Sequence, residues 1–147
     1  MKLLVCIDFS DLTPWVLETA RTLAAGKEDA RICLLHVSVP ELEVVNMEIP
    51  TEAIHELLEE RQERERKRLD RHVRDLSDWG LKAEANLIYG PVVETILEIA
   101  DKEDPDMILL GARAKSTVKD FVLGSVSRHV VQGARMPVVI VPPKMGR

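Results

Sequence analysis

The residues best suited to chemistry lie in the last third of the chain. Met107-Ile108-Leu109-Leu110-Gly111 runs into Ala112-Arg113-Ala114-Lys115-Ser116-Thr117, and Leu123-Gly124-Ser125-Val126-Ser127 follows. An apolar strand ends at a glycine, a polar basic loop comes next, and Gly124-Ser125 stands at or just inside the start of a helix. That order of residue types suits phosphate. Small residues let backbone N–H groups approach an anion, the hydroxyls of Ser125 and Ser127 add donors, and a helix start presents unpaired N–H groups at the positive end of its dipole. Arg113, Lys115 and Lys119 are opposed only by Asp120, so the loop is locally positive in a chain of net charge −5. Spacing alone equally allows a basic, glycine-punctuated connector. The loop is not a Walker A site, because Lys115-Ser116 lacks the preceding glycine and the gap of four residues before it. No Gly-x-Gly-x-x-Gly follows the first apolar run, so the dinucleotide fingerprint is absent as well.

Other candidates carry less. Asp8 ends the first apolar run, where it is either a ligand contact or a turn and capping residue. His36 closes the second run without an obvious carboxylate or serine partner, which makes it structural, since acid–base work needs a positioned second group. His55, His72 and His129 fall on predicted helices at spacings that make no metal site. Cys6 and Cys33 each sit inside an apolar run, as small buried hydrophobes do, so neither a disulfide framework nor a metal cluster is expected. With 3% aromatic residues, Trp15 and Trp79 read as core or cap-packing residues rather than a base-stacking platform. No residue is assigned as catalytic.

The elements that must position these residues follow from patterning. Five apolar, β-branched runs recur at Lys2 to Ile7, Arg31 to Val37, Ala83 to Tyr89, Asp106 to Leu110 and Pro137 to Val141. Most lack in-out alternation, as strands of a parallel sheet covered on both faces do. Helical stripes lie between them. One comprises Trp15, Val16, Thr19, Ala20 and Leu23, with Pro14 in its first turn and Gly26 as a stop. Another comprises Val92, Val93, Ile96, Leu97 and Ala100 after Gly90-Pro91, and a third runs from Phe121 through Val130 to Gly133. The order β-α-β-α-β-α-β-α-β predicts an α/β fold with a doubly wound, five-stranded parallel sheet, as one domain over residues 1–147. Ligands of such sheets bind beyond the carboxyl ends of the strands where strand order reverses. The stretch from Glu41 to Pro50 also follows a strand, as a flap over that crevice would.

The stretch from Thr51 to Trp79 is much longer than the other helices. Ile54, Leu57 and Leu58 give one end an apolar side, and Leu69, Val73 and Leu76 do so at the other. Between them Glu59 to Arg68 is almost wholly charged, with Glu60/Arg64 and Glu63/Lys67 at i,i+4 spacing. The run reads as a solvated helix passing the edge of the body, or as a partner-binding arm; a coiled coil lacks its seam. The acidic balance, 20 Lys+Arg against 25 Asp+Glu, gives no footprint for nucleic acid or an anionic membrane surface. No apolar run approaches the ~20 residues of a membrane span, and the first is too short for a signal peptide, so a cytoplasmic location is expected.

Taken together these words resemble the universal stress protein family. Its nucleotide-binding members follow the fourth strand with glycine, two residues, a second glycine, nine residues, then Gly-Ser or Gly-Thr. Gly111, Ala114 and Gly124-Ser125 fall at those positions. Asp8-Phe9-Ser10 after the first strand, Leu35-His36-Val37 ending the second, and Gly90-Pro91 are similar to the family's words too, and the likeness spans nearly the whole chain. The resemblance implies a Rossmann-like homodimer pairing through Pro137 to Val141, and an adenine nucleotide, ATP with or without Mg²⁺, as ligand. It implies that Asp8 and Val37 line adenine and ribose, that Leu110 and Gly111 border the nucleoside, and that Gly124, Ser125, Val126 and Ser127 hold phosphates. Ala114 stands where the motif has its second glycine. The expected function is a dimeric, non-enzymatic stress sensor or switch that binds the nucleotide; the alternative is an interaction-only stress protein that has lost the nucleotide through Ala114.

Overall fold

Apolar runs flanked by amphipathic stretches have one economical arrangement, a sheet sandwiched between helices, and the chain adopts it. The computed structural model describes residues 1–39, 49–112 and 123–143. Along them come β1 (Lys2–Cys6), α1 (Thr13–Ala24), β2 (Arg31–Ser38), α2 (Thr51–Asp78), β3 (Lys82–Tyr89), α3 (Val92–Glu103), β4 (Met107–Gly111), α4 (Ser125–Gly133) and β5 (Val138–Val141). The strands form one parallel sheet in the order β3-β2-β1-β4-β5. This is the predicted α/β architecture. No helix among the described residues is long and apolar enough to cross a membrane.

The unbroken apolar runs are explained by what covers each face. Leu3, Val5 and Ile7 pack with Val16, Leu17 and Ala20 of α1 and with Leu69 and Leu76 of α2. The alternate residues Leu4 and Cys6 pack on the other face with Ile96 and Ala100 of α3 and Val130 of α4. β1 is central, so both sets are buried. β3 forms one edge, and its residues are mostly half-buried or exposed.

The element ends differ from the sequence reading by a residue or so. Ile7 lies just past β1, and β2 continues to Ser38. Pro137 and Asp106 precede their strands, the proline having no N–H for a ladder, although its carbonyl accepts from Ile108 N at 2.9 Å. Pro14 occupies the first turn of α1, and Gly26 takes φ +74° just past its end, as expected. The last helix begins at Ser125 with Gly124 as its N-cap; its expected start at Phe121 lies outside the described residues. So does the flap up to residue 48.

The long helix departs more from expectation. Leu57 and Leu58 are exposed, so the apolar side at the amino end reduces to a half-buried Ile54. The charged run is not wholly solvated either, because Glu65 in its middle is 8% exposed. Leu69 and Leu76, both at 0% exposure, are the pins that hold α2 to the sheet. Leu69→Ala is expected to cost about 2–5 kcal/mol in chemical denaturation, with Leu57→Ala within ~0.5 kcal/mol of the parent chain.

Candidate functional site

The strand order reverses between β1 and β4, and the register brings three strand ends level. Cys6 pairs with Leu35 on one side and with Leu110 on the other. Asp8, Val37 and Gly111 therefore converge at the carboxyl end of the sheet, around an open cavity of about 240 Å³. That is near the lower bound of ordinary small-molecule sites. Of the residues expected at a site, Asp8, Val37, Leu110, Gly111, Val126 and Ser127 line it. Ser125 is exposed at the first turn of α4, Gly124 caps that helix, and Ala114 lies outside the described residues. α1 adds Thr13 and Val16, and α3 adds Val92 and Ile96.

The turn after β1 is held in a strained shape. Asp8 Oδ1 accepts from the backbone N–H of Ser10 at 3.0 Å, and Ser10 Oγ accepts from Leu12 N at 3.3 Å. Between them Phe9 sits at φ 58°, a left-handed conformation that costs a bulky residue about 1–2 kcal/mol. Its ring lies 4.3 Å from the His36 imidazole, with the Arg68 guanidinium 4.2 Å over it. Arg68 Nη2 also donates to the Phe9 carbonyl at 3.4 Å. Thus α2 clamps the loop that presents Asp8.

The opposite wall is the start of α4. The first intrahelical bond runs from Arg128 N to Gly124 O at 3.0 Å, so the N–H groups of Ser125, Val126 and Ser127 have no partner within the helix. Gly124, the N-cap, has no side chain with which to cap them. The helix thus starts at Gly124-Ser125 as expected, and a start of this kind can receive an anion. Two contacts bear on the residues of this wall. The Ser127 hydroxyl is buried and donates to the Gly111 carbonyl at 3.2 Å, tying β4 to α4 rather than offering its hydrogen to an anion. A Cβ on Gly111 would meet Leu12 and Val16 at 3.2 and 3.3 Å, so this glycine lets α1 pack close to the strand end.

The polar cluster behind the cavity is a feature the sequence reading missed. Glu65 Oε1 accepts from Arg61 Nε at 3.0 Å and from Ser38 Oγ at 3.1 Å, and Tyr89 OH reaches Oε2 at 3.5 Å. Partial burial, then the Glu65 carboxylate, holds the Tyr89 phenol above its ordinary range, as a proton donor. His36 has partners after all. Its Nδ1 lies 2.8 Å from the Ile7 carbonyl, which can only accept, so Nδ1 carries a hydrogen, and Nε2 is 3.7 Å from Glu65. The signal was present: continuing the stripe of Ile54, Leu58, Leu69 and Leu76 through the charged run at three- and four-residue steps passes through Arg61 and Glu65.

The remaining candidates stay apart. His72 packs near Phe9, while His129 Nδ1 meets its own helix at Ser125 O, 2.7 Å away. Trp79 caps α2 with Arg21 over its ring at 4.8 Å, which fits cap packing. Cys33, Glu84 and Glu103 bring possible metal-donor atoms within 4.8 Å of one another, but the Lys2 ammonium already bonds Glu103 at 2.8 Å.

The sequence profile of the Universal stress protein family matches residues 1–142. The chain belongs to the universal stress protein family. It is 27% identical over 156 residues to Universal stress protein MJ0577 of Methanocaldococcus jannaschii, covering 97% of this chain and 95% of that protein. Universal stress protein YxiE of Bacillus subtilis is 30% identical over 145 residues, covering 95% and 97%. The solved structure of MJ0577 superposes with a TM-score of 0.82 at 28% identity, over 99% of this chain and 97% of that one. The universal stress protein of Archaeoglobus fulgidus in complex with dAMP shares the fold, with a TM-score of 0.65 at 23% identity over 96% and 97%.

In this universal stress protein both thiols are buried. Burial pushes Cys6, which lines the cavity, strongly upward. Burial also raises Cys33, against an amide hydrogen bond from Asn86. Only the thiolate attacks, so a raised pKa leaves little of the reactive form at pH 8. Both thiols of the native protein are expected to react slowly with a disulfide reagent at pH 8, and two equivalents to react rapidly once the chain is unfolded.

Proposed function

We propose that this universal stress protein binds an adenine nucleotide, ATP in the first instance, in the cavity beyond β1 and β4, and acts as a non-enzymatic sensor or switch in the cytoplasm. The observation that carries the reading is the start of α4, where the N–H groups of Ser125, Val126 and Ser127 have no partner within the helix and Val126 and Ser127 line the cavity. The rest of the lining fits a nucleotide around that point. Asp8 offers a carboxylate to ribose hydroxyls, Val37 and Leu110 give apolar walls to the nucleoside bordered by Gly111, and Gly124 to Ser127 offer backbone N–H groups to phosphate. Mg²⁺, which favours oxygen ligands, would be held largely by the phosphates, since Asp8 is the one carboxylate among the described lining residues. The dAMP complex of the Archaeoglobus fulgidus relative supports the choice of adenine on a shared fold. Ala114 enters as the residue of the phosphate loop that departs from the family's glycine.

We also infer that two copies pair through β5. Its outer edge has no strand partner among the described residues, and Val138, Val139 and Ile140 are only half-buried. An open, Val-rich parallel edge invites a second copy related by a two-fold axis.

Denaturing the purified protein is expected to release adenine nucleotide. Saturating ATP with Mg²⁺, at about 100 times Kd, is expected to stabilise the fold by about 2.7 kcal/mol, read as a rise in Tm. Ala114→Gly is expected to tighten binding by roughly 5- to 30-fold, the equivalent of the ~1–2 kcal/mol that an L-residue costs wherever a motif glycine serves a φ > 0 position. No released nucleotide and no shift at millimolar ATP would favour the interaction-only reading. Light scattering on a size-exclusion column is expected to give twice the 16.6 kDa chain mass at micromolar concentration, and a monomer would overturn pairing through β5.

A further inference from the structure

We propose that Arg61, oriented by Glu65, is the residue that stacks on the base of the bound nucleotide. This rests on the reading of the cavity as a nucleotide site. Arg61 belongs to the middle of α2, not to any loop after a strand, yet its side chain lines the cavity together with Val37, Ser38 and Val39. A base needs a flat surface against it, and no Phe, Tyr or Trp is among the described lining residues. The lining has two planar candidates, the His36 imidazole and the Arg61 guanidinium. Phe9 packs against the imidazole at 4.3 Å, and its Nδ1 is engaged by the Ile7 carbonyl. The guanidinium is the surface that remains.

Its orientation is set from behind. Nε donates to Glu65 Oε1 at 3.0 Å, and the same carboxylate is anchored by Ser38 and Tyr89. Glu65 is nearly buried, with its side chain 11% exposed, while that of Arg61 is 25% exposed. Fixing Nε stops the plane from turning and leaves a flat face and the Nη groups available to a ligand. Guanidinium planes stack on bases through dispersion and cation–π attraction, which a lysine ammonium cannot reproduce with the same geometry. Position separates the base from the phosphates. Arg61 stands with the end of β2 and the α4 N-terminus follows β4, so β1 and roughly 10 Å of sheet lie between the two strands.

Calorimetric titration of the full-length protein with AMP, ATP and inorganic tripolyphosphate tests this. Arg61→Ala and Arg61→Lys are both expected to weaken AMP and ATP by the same factor, roughly tenfold, and to leave tripolyphosphate unchanged. Should Arg61→Ala fail to fold once Glu65 loses its cation, Arg61→Lys, which keeps the charge, decides by the same criterion. Unchanged AMP and ATP affinity in a folded variant overturns the assignment, as does full retention of binding by Arg61→Lys. A loss that grows from AMP to ATP overturns it too, because it would make Arg61 a phosphate ligand. If the parent protein binds no nucleotide, the reading of the cavity falls and this inference with it; parent binding with indifferent variants overturns Arg61 alone.

Discussion

The parallel pairing of β1 with β2 on one side and β4 on the other is the constraint on which the rest of the molecule depends. A strand so placed needs apolar side chains on both faces, because helices must return over the sheet to keep every strand parallel. The same pairing makes β1 the point where the chain stops winding one way and starts winding the other. The helices that leave β1 and β4 diverge there, and the gap between them is the cavity. The architecture thus creates the site before any polar residue is chosen for it.

The polar residues then take their positions from two opposed demands. Phe9 is held in a left-handed conformation, at a cost of about 1–2 kcal/mol, so that Asp8 and Ser10 can form their turn at the cavity mouth. Ring contacts with His36 and Arg68 offset that strain and tie the turn to α2. Glu65 is a second expensive feature, since removing a carboxylate from water costs several kcal/mol unless it is paired and hydrogen-bonded. Arg61, Ser38 and Tyr89 supply those partners from two different elements besides α2 itself. Such an arrangement is poor as a source of raw stability but good at specifying where each group stands. α2 is therefore more than an outlying strut; through Arg61, Glu65 and Arg68 it reaches both the cavity wall and the turn beside it.

Much of the fold was legible in the residues. The five β-branched runs without alternation, and the helical stripes between them, led directly to a covered parallel sheet. The cavity at the ends of β1, β2 and β4 follows from the topological rule for such sheets, and Asp8, Val37, Leu110, Gly111, Val126 and Ser127 line it as expected. Legibility failed where a residue's role depends on what stands opposite. His36 read as unpartnered because its carboxylate comes from Glu65, 29 positions later on another element. Ser127 read as a phosphate donor because the Gly111 carbonyl that takes its hydrogen is 16 positions away. Leu57 and Leu58 read as a packing face because periodicity does not say whether a surface exists to receive it.

By itself the sequence determined the element order, the two-faced burial of the sheet and the family, since these rest on periodicity and local words carried along the chain. Tertiary structure decided which charges of α2 turn inward and which hydroxyls, such as those of Ser38 and Ser127, are already engaged. Local propensity is a property of neighbours a few residues apart. Burial and hydrogen-bond satisfaction are properties of residues that meet only when the sheet has formed, and in this chain the chemistry of the cavity belongs to that second kind.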